Sequence, residues 1–151
     1  MVTLENDLEK AKQSLSLKAD FNLIDAFKIF DKYNLGELYR QDLENGLERL
    51  HVYFQRKDVD LFLKRYDLNH DNKLRFHEFT EALLTKDKLY ADHLSHKKSN
   101  YLARRPEDAF TTLTRYELAD TLKTMIRCEG YAEELRQNLS KRTYFTISGA
   151  F

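Results

Sequence analysis

The stretch RYDLNHDNKLRFHEF, residues 65–79, decides the fold of this chain. Oxygen-bearing side chains alternate near its start, at Asp67, Asn69 and Asp71, and a glutamate, Glu78, stands near its end. Apolar residues at helical spacing come before and after it, which predicts a loop of defined length between two helices. Such a loop brings several oxygens to one point, as a hard metal cation requires.

The spacing of these oxygens matches the needs of calcium. Calcium takes about six to eight oxygen ligands, and a twelve-residue loop supplies them from positions 1, 3, 5, 7, 9 and 12. Position 9 is Arg75, and both it and Lys73 place a positive charge where it repels a dication, so we expect a Kd on the order of 10⁻⁶ to 10⁻⁴ M. The alternative is a vestigial loop held shut by its own hydrogen bonds and Arg75. The predicted Ca²⁺ ligands are Asp67, Asn69, Asp71, the carbonyl of Lys73, and Glu78.

A second loop of the same kind begins at Asp31, in DAFKIFDKYNLGEL, residues 25–38. Its positions 3 and 5 are Tyr33 and Leu35, which offer no suitable oxygen, and position 12 is Asp42, which is too short to bind with both oxygens. We therefore expect loop 31–42 to be empty of metal and to act as a structural brace.

Both loops keep the residues that shape the turn. Gly36 and Asn72 stand at position 6, where the backbone needs a left-handed conformation that glycine and asparagine tolerate best. Leu38 and Leu74 stand at position 8, where the two loops are expected to pair.

These features resemble paired EF-hands of the calmodulin superfamily. The stretch 25–38 is similar to the first hand of a calmodulin-type protein, and the loop starts Asp31 and Asp67 are 36 residues apart, as in a paired lobe. The resemblance covers residues 20–86 and implies an all-α fold, calcium as the ligand and a protein partner.

Amphipathic segments flank this lobe, and one of them repeats. Residues 12–27, KQSLSLKADFNLIDAF, align without a gap with residues 136–151, RQNLSKRTYFTISGAF, which indicates a partial duplication, although two helices can also be similar by chance. Phe151 would then end a piece of a longer repeat protein, or a second lobe has been lost. The predicted organisation is an amphipathic helix at 1–19, the EF-hand pair at 20–86, a basic linker at 87–106, and C-terminal helices with a tail at 107–151 that partly repeat 1–27.

The lobe predicts a protein-binding groove. In calcium sensors the hands open and expose an apolar groove for an amphipathic helix. Residues 20–86 contain no methionine, so we expect one fixed partner, either another protein or a flanking helix of this chain. The exit helix of the second hand is expected to turn Phe76 and Phe79 inward. The predicted groove residues are Phe27, Phe30, Leu47, Leu50, Phe62, Phe79 and Leu83.

Composition narrows the remaining functions. Lys plus Arg and Asp plus Glu number 25 each, so no net charge favours nucleic acid, and no apolar run is long enough for a membrane span. The basic segment HKKSNYLARR, residues 96–105, is suited to an acidic protein surface such as tubulin. The single cysteine, Cys128, excludes an internal disulfide and indicates a cytoplasmic location.

No catalytic motif is recognisable, so we do not expect an enzyme. The favoured function is a calcium-binding regulatory or adaptor subunit that acts through the groove and the basic segment. The alternative is a calcium-independent structural subunit of a larger assembly, such as ciliary microtubules, with a cytoskeletal or ciliary location.

Overall fold

The computed structural model describes residues 2–99 and 106–150. Within these ranges the chain is all-α, as predicted, with seven α-helices, one short 3-10 helix and two strands of two residues each. No helix in them has an apolar stretch long enough to cross a bilayer. The elements are α1 (Val2–Ser16), α2 (Leu23–Phe30), β1 (Glu37–Leu38), α3 (Arg40–Arg49), α4 (Arg56–Tyr66), β2 (Leu74–Arg75), α5 (Phe76–Leu83), α6 (Lys88–Ser95), the 3-10 helix (Pro106–Ala109) and α7 (Thr112–Ala150).

Two helix–loop–helix motifs form the centre of the molecule, α2 with α3 and α4 with α5. Their loops pair as antiparallel strands in which Leu38 lies opposite Leu74, and both leucines are fully buried. Gly36 and Asn72 have φ of 75° and 64°, which confirms the left-handed turns predicted at position 6. The pairing fixes the two loops side by side.

The backbone is strained just after α3, at His51, which the sequence did not predict. The Val52 N–H donates to the Leu47 carbonyl at 2.9 Å, and the His51 N–H donates to the Glu48 carbonyl at 3.0 Å. This hydrogen-bond pattern ends a helix with a left-handed residue, usually glycine. Here that residue is His51, with φ of 60°.

Aromatic rings fill the space between the two motifs. The ring centroids of Phe27 and Phe30 each lie 5.4 Å from that of Phe79, at the tilted or edge-on angles that aromatic pairs favour. Phe79 is buried, as expected, whereas Phe76 is 40% exposed and only its edge meets Phe27. The expectation that Phe76 turns inward holds only in part, because Phe76, the first residue of α5, packs on Phe27 but stays partly in solvent.

Helices α1 and α7 lie antiparallel beside the lobe. Ser14 and Lys18, at the end of α1, contact Glu117 near the start of α7, with a Lys18–Glu117 distance of 3.2 Å. Just beyond α1, the Asp20 carboxylate accepts the Thr111 N–H at 2.7 Å and the Thr114 hydroxyl at 2.6 Å. These contacts secure the first turn of α7 to the connection between α1 and α2.

The segment predicted as a basic linker contains a packed helix. Asp87 caps α6 by accepting the Leu89 N–H at 3.0 Å, and Leu94 of that helix is buried. The Lys97 ammonium donates to the carbonyls of Ser16 and Lys18 at the end of α1. The first part of the basic segment is thus engaged within the chain, while residues 100–105 of it lie outside the described residues.

Helix α7 differs in structure from the N-terminal segment to which its last residues are similar in sequence. It continues through Gly130, since a single glycine weakens a helix without ending it. Residues 141–146 align with the connection between α1 and α2, yet they are helical. The similarity of the two sequences is therefore not matched by the same local structure, and Phe151 lies outside the described residues.

Candidate metal centre

Three carboxylates of the second loop come together as the spacing predicts. One oxygen from each of Asp67, Asp71 and Glu78 lies within 4.8 Å of the others. Asp67 is 5% exposed and Glu78 is fully buried. Across residues 2–99 and 106–150, no other three His, Cys, Asp or Glu side chains converge in this way. A carboxylate cluster of this kind is compatible with a metal site.

Backbone hydrogen bonds hold these carboxylates in place. Asp67 accepts the N–H groups of Asp71 and Asn72 at 3.2 and 2.7 Å, which closes the loop over its first residue. Glu78 accepts the N–H of Arg75 at 3.0 Å and the N–H of Leu68 at 2.7 Å, so both of its oxygens are engaged. Each carboxylate oxygen has a further lone pair, so these bonds orient the ligands without using up their capacity.

Asn69 bridges two members of the cluster. With its amide oriented to satisfy its neighbours, its nitrogen donates to Asp67 Oδ1 and Asp71 Oδ1, both at 2.9 Å. The amide hydrogens thus provide the positive partial charge that the two carboxylates require. If the amide turns over, it presents its oxygen to the same point, so the residues fit a calcium ion. The complete ligand set, with the Lys73 carbonyl, stays a prediction.

The two cations of the loop have partners that weaken their effect. Lys73 Nζ lies 3.1 Å from Glu37 Oε2, and this bond is the main cause that raises the Lys73 pKa. The Arg75 guanidinium lies 3.8 Å from Glu37 and 3.5 Å from Asp71 Oδ2. Partial burial raises the pKa of Asp71, but the Asp67 side chain, the Lys73 N–H and the two nearby cations outweigh it, so the pKa is lowered.

The carboxylates of the first loop serve the backbone. Asp31 accepts the N–H groups of Leu35 and Gly36, both at 2.9 Å, and Asp42 accepts the N–H of Tyr39 at 2.9 Å. Tyr33 and Leu35 are 68% and 59% exposed, so positions 3 and 5 contribute nothing to the loop interior. This geometry is consistent with an empty first loop, which remains a prediction.

The predicted groove is present but filled. Its seven residues are all buried, and Leu122 and Ile126 of α7 lie across it. The cavity left between α7 and the lobe is only about 10 Å³, roughly the space of one water probe. The occupant is thus a helix of the same chain, one of the two alternatives that the sequence left open.

Glu37 lies beside the second loop, although the sequence motifs did not identify it as a functional residue. It stands at position 7 of the first loop, one residue before the paired Leu38, and lies directly opposite Arg75 in the strand pairing. Pairing of the leucines at position 8 is enough to deduce this neighbour. The sequence therefore allowed the contact between Glu37 and Arg75 to be predicted.

Sequence comparisons point in the same direction. The chain is 24% identical over 140 residues to calcium-binding protein H of Dictyostelium discoideum, which covers 86% of this chain and 82% of that protein. It is 30% identical over 105 residues to mitochondrial substrate carrier family protein C of the same organism, 68% of this chain but 20% of the carrier. It is 34% identical over 53 residues to calmodulin-like protein 3 of Arabidopsis thaliana, 35% of each.

No protein-family model and no solved structure matches the chain. The chain spans only about a fifth of the carrier and about a third of the calmodulin-like protein. The similarity to calcium-binding protein H runs through most of both chains. Together with the two paired helix–loop–helix motifs, these similarities support an EF-hand, calmodulin-like family for this chain.

Proposed function

We propose that this chain is a calcium-binding regulatory protein with one Ca²⁺ site in loop 67–78. The observation that carries the proposal is the convergence of the Asp67, Asp71 and Glu78 oxygens within 4.8 Å between the two helices of a paired hand. The relatives named for calcium binding and for calmodulin support the same assignment. Oxygen donors at this spacing suit a hard cation better than zinc or copper.

Glu78 is the residue that would transmit binding to the fold. Bound Ca²⁺ would supply two positive charges to the carboxylates. Glu78 would then turn both oxygens toward the loop and loosen its bonds to the Arg75 and Leu68 N–H groups. Because Glu78 lies in the first turn of α5, a shift of its side chain moves Phe79, which packs on Phe27 and Phe30.

The burial of α7 in the groove limits the conformational change that calcium binding could cause. Leu122 is 2% exposed and Ile126 is partly buried, and full burial of such a side chain is worth about 1.5–3 kcal/mol. Coupling between two sites is typically about 1–3 kcal/mol, so calcium alone is too weak to expel α7. We infer that calcium loosens α7 and that an amphipathic helix of a partner protein, with apolar residues four apart, completes its displacement.

A calcium-independent structural subunit is the second candidate. The hydrogen bonds of Glu78 and the covered groove both favour it, because neither needs calcium in order to form. A cytoplasmic location fits either candidate, and a cytoskeletal or ciliary location belongs to the structural one. The regulatory candidate adds a contact of residues 96–105 with an acidic surface such as tubulin. Engagement of Lys97 with α1 leaves fewer charges for such a contact.

Calorimetric titration with calcium in millimolar Mg²⁺ distinguishes the two candidates. The matched variants are Glu78→Gln and Asp42→Asn, which alter position 12 of the second and first loops. We expect micromolar binding by the unaltered chain, loss of binding in Glu78→Gln and little change in Asp42→Asn. No heat in the unaltered chain would refute the calcium proposal.

Hydrogen exchange along α7 tests the regulatory step. We expect calcium to speed exchange around Leu122 and Ile126, and an apolar dye to bind more strongly. Calcium binding without faster exchange at these residues would favour the structural subunit.

A further inference from the structure

Glu37 belongs to the first loop but meets the two cations of the second. It is opposite Arg75 in the strand pairing, 3.1 Å from Lys73 Nζ and 3.8 Å from the Arg75 guanidinium. The Tyr39 hydroxyl donates to the same carboxylate at 3.3 Å, and the Lys73 ammonium stands 5.9 Å from the Tyr39 ring centre. Glu37 is therefore held in place by groups of both loops.

Arg75 is shared between two carboxylates with opposite consequences for a metal. Its Nε lies 3.5 Å from Asp71 Oδ2, and Asp71 is one of the converging ligands. A guanidinium drawn fully onto Asp71 would occupy an oxygen and place a positive charge beside the ion. A guanidinium drawn to Glu37 leaves Asp71 free.

Lys73 faces the same choice. Its side chain leaves position 7 of the calcium loop and ends at Glu37. Without a carboxylate at position 37, Lys73 would lose this partner and Arg75 would be left with Asp71 alone of its two carboxylates. The effect of the two cations on the loop thus depends on a residue of the other loop.

We propose that Glu37 is a positioning residue for the calcium site: by pairing with Lys73 and sharing Arg75 with Asp71, it lessens the pull of these cations on Asp71 and so strengthens calcium binding by the neighbouring loop. This inference rests on the proposed calcium site in loop 67–78. The first loop then takes part in metal binding without holding a metal.

A double-mutant cycle tests this role. Calcium affinity is measured by calorimetry for the unaltered chain, Glu37→Gln, Arg75→Gln and the double variant, with Glu48→Gln, an exposed glutamate of α3, as the charge-loss control. Glu37→Gln should raise the Kd about fivefold, the size expected for a partly exposed ion pair. Arg75→Gln should lower the Kd. In the Arg75→Gln background the effect of Glu37→Gln should be smaller, because only Lys73 is left for Glu37 to hold.

The outcomes separate this inference from the calcium site itself. No binding by the unaltered chain would remove the site and the inference together. Binding that Glu37→Gln leaves unchanged, or weakens equally with and without Arg75, would overturn the positioning role and leave the site standing. Circular dichroism of each metal-free variant shows that it is folded, so that a weaker Kd reports the loop and not a loss of structure.

Discussion

Gly46 and Gly130 both lie inside helices, yet the structure predicts that alanine destabilises the chain at Gly46 and stabilises it at Gly130. A Cβ at Gly46 would lie 2.1, 2.5 and 2.8 Å from three ring carbons of Phe30, where about 3.5–4.0 Å is normal contact. Phe30 is 1% exposed and packs on Phe79, so its ring cannot move aside without disturbing the core. A Cβ at Gly130 would have no atom within 4 Å.

These distances give the expected magnitudes. Overpacking a core costs about 1–3 kcal/mol, and the overlap with three ring atoms places Gly46→Ala at the upper end. Alanine regains about 1 kcal/mol over glycine inside a helix. We therefore expect Gly46→Ala to lower the free energy of unfolding by about 2 kcal/mol, and Gly130→Ala to raise it by up to about 1 kcal/mol.

Urea unfolding followed by circular dichroism measures both values. A calcium chelator is present throughout, because a bound ion would add its own stabilisation. Gly130→Ala serves as the control, since it makes the same chemical change without the ring contact. If Gly46→Ala is as stable as Gly130→Ala, the tight packing of α3 on Phe30 is refuted.

Three further outcomes follow from particular contacts. His51→Gly should raise the free energy of unfolding by about 1 kcal/mol in the same urea assay, because glycine adopts the left-handed conformation without strain; an unchanged or lower value would contradict the strained helix end. Burial raises the pKa of Asp20, but hydrogen bonds from Thr114 and Thr111 outweigh it and lower the pKa. The stability that Asp20 adds should therefore be complete above pH of about 4 and decrease below it. In urea titrations, the difference in free energy of unfolding between the unaltered chain and Asp20→Asn should become smaller on acidification. A difference that does not depend on pH would refute this. Burial, aided by Glu129, raises the pKa of the Cys128 thiol, so it should react with a thiol reagent at neutral pH far more slowly in the folded chain than in urea; equal rates would show that α1 does not cover it.

Local chemistry made the loops predictable. The alternation from Asp67 to Asp71 and the residues at positions 6 and 8 specify a loop on their own, and the structure has the left-handed turns and the Leu38–Leu74 pairing that they predict. The turns depend on neighbours within one twelve-residue loop, and the pairing follows from two such loops in succession, so the pattern alone is enough.

Long-range contacts were harder to predict. The groove residues were correctly identified as apolar neighbours, but nothing local says that Leu122, some 40 residues beyond the lobe, lies across them. Polar side chains misled in a similar way, because Lys97 looks like part of a solvated arm until the end of α1 is placed beside it. His51 also gave no signal, since a strained backbone is tolerated only where tertiary contacts demand it.

The helix across the groove would raise the affinity that the proposed partner needs. A segment tethered to its own binding site competes at an effective concentration of about a millimolar, whatever the concentration of the protein. A partner helix present at about a micromolar must therefore bind the groove roughly a thousandfold more tightly than α7 does, which corresponds to about 4 kcal/mol. Because Leu122 and Ile126 are part of the same chain, they would compete with the partner helix proposed above and exclude amphipathic helices that bind weakly. The covering helix would thus act as an affinity threshold, which would add to the selectivity expected of a surface without methionine.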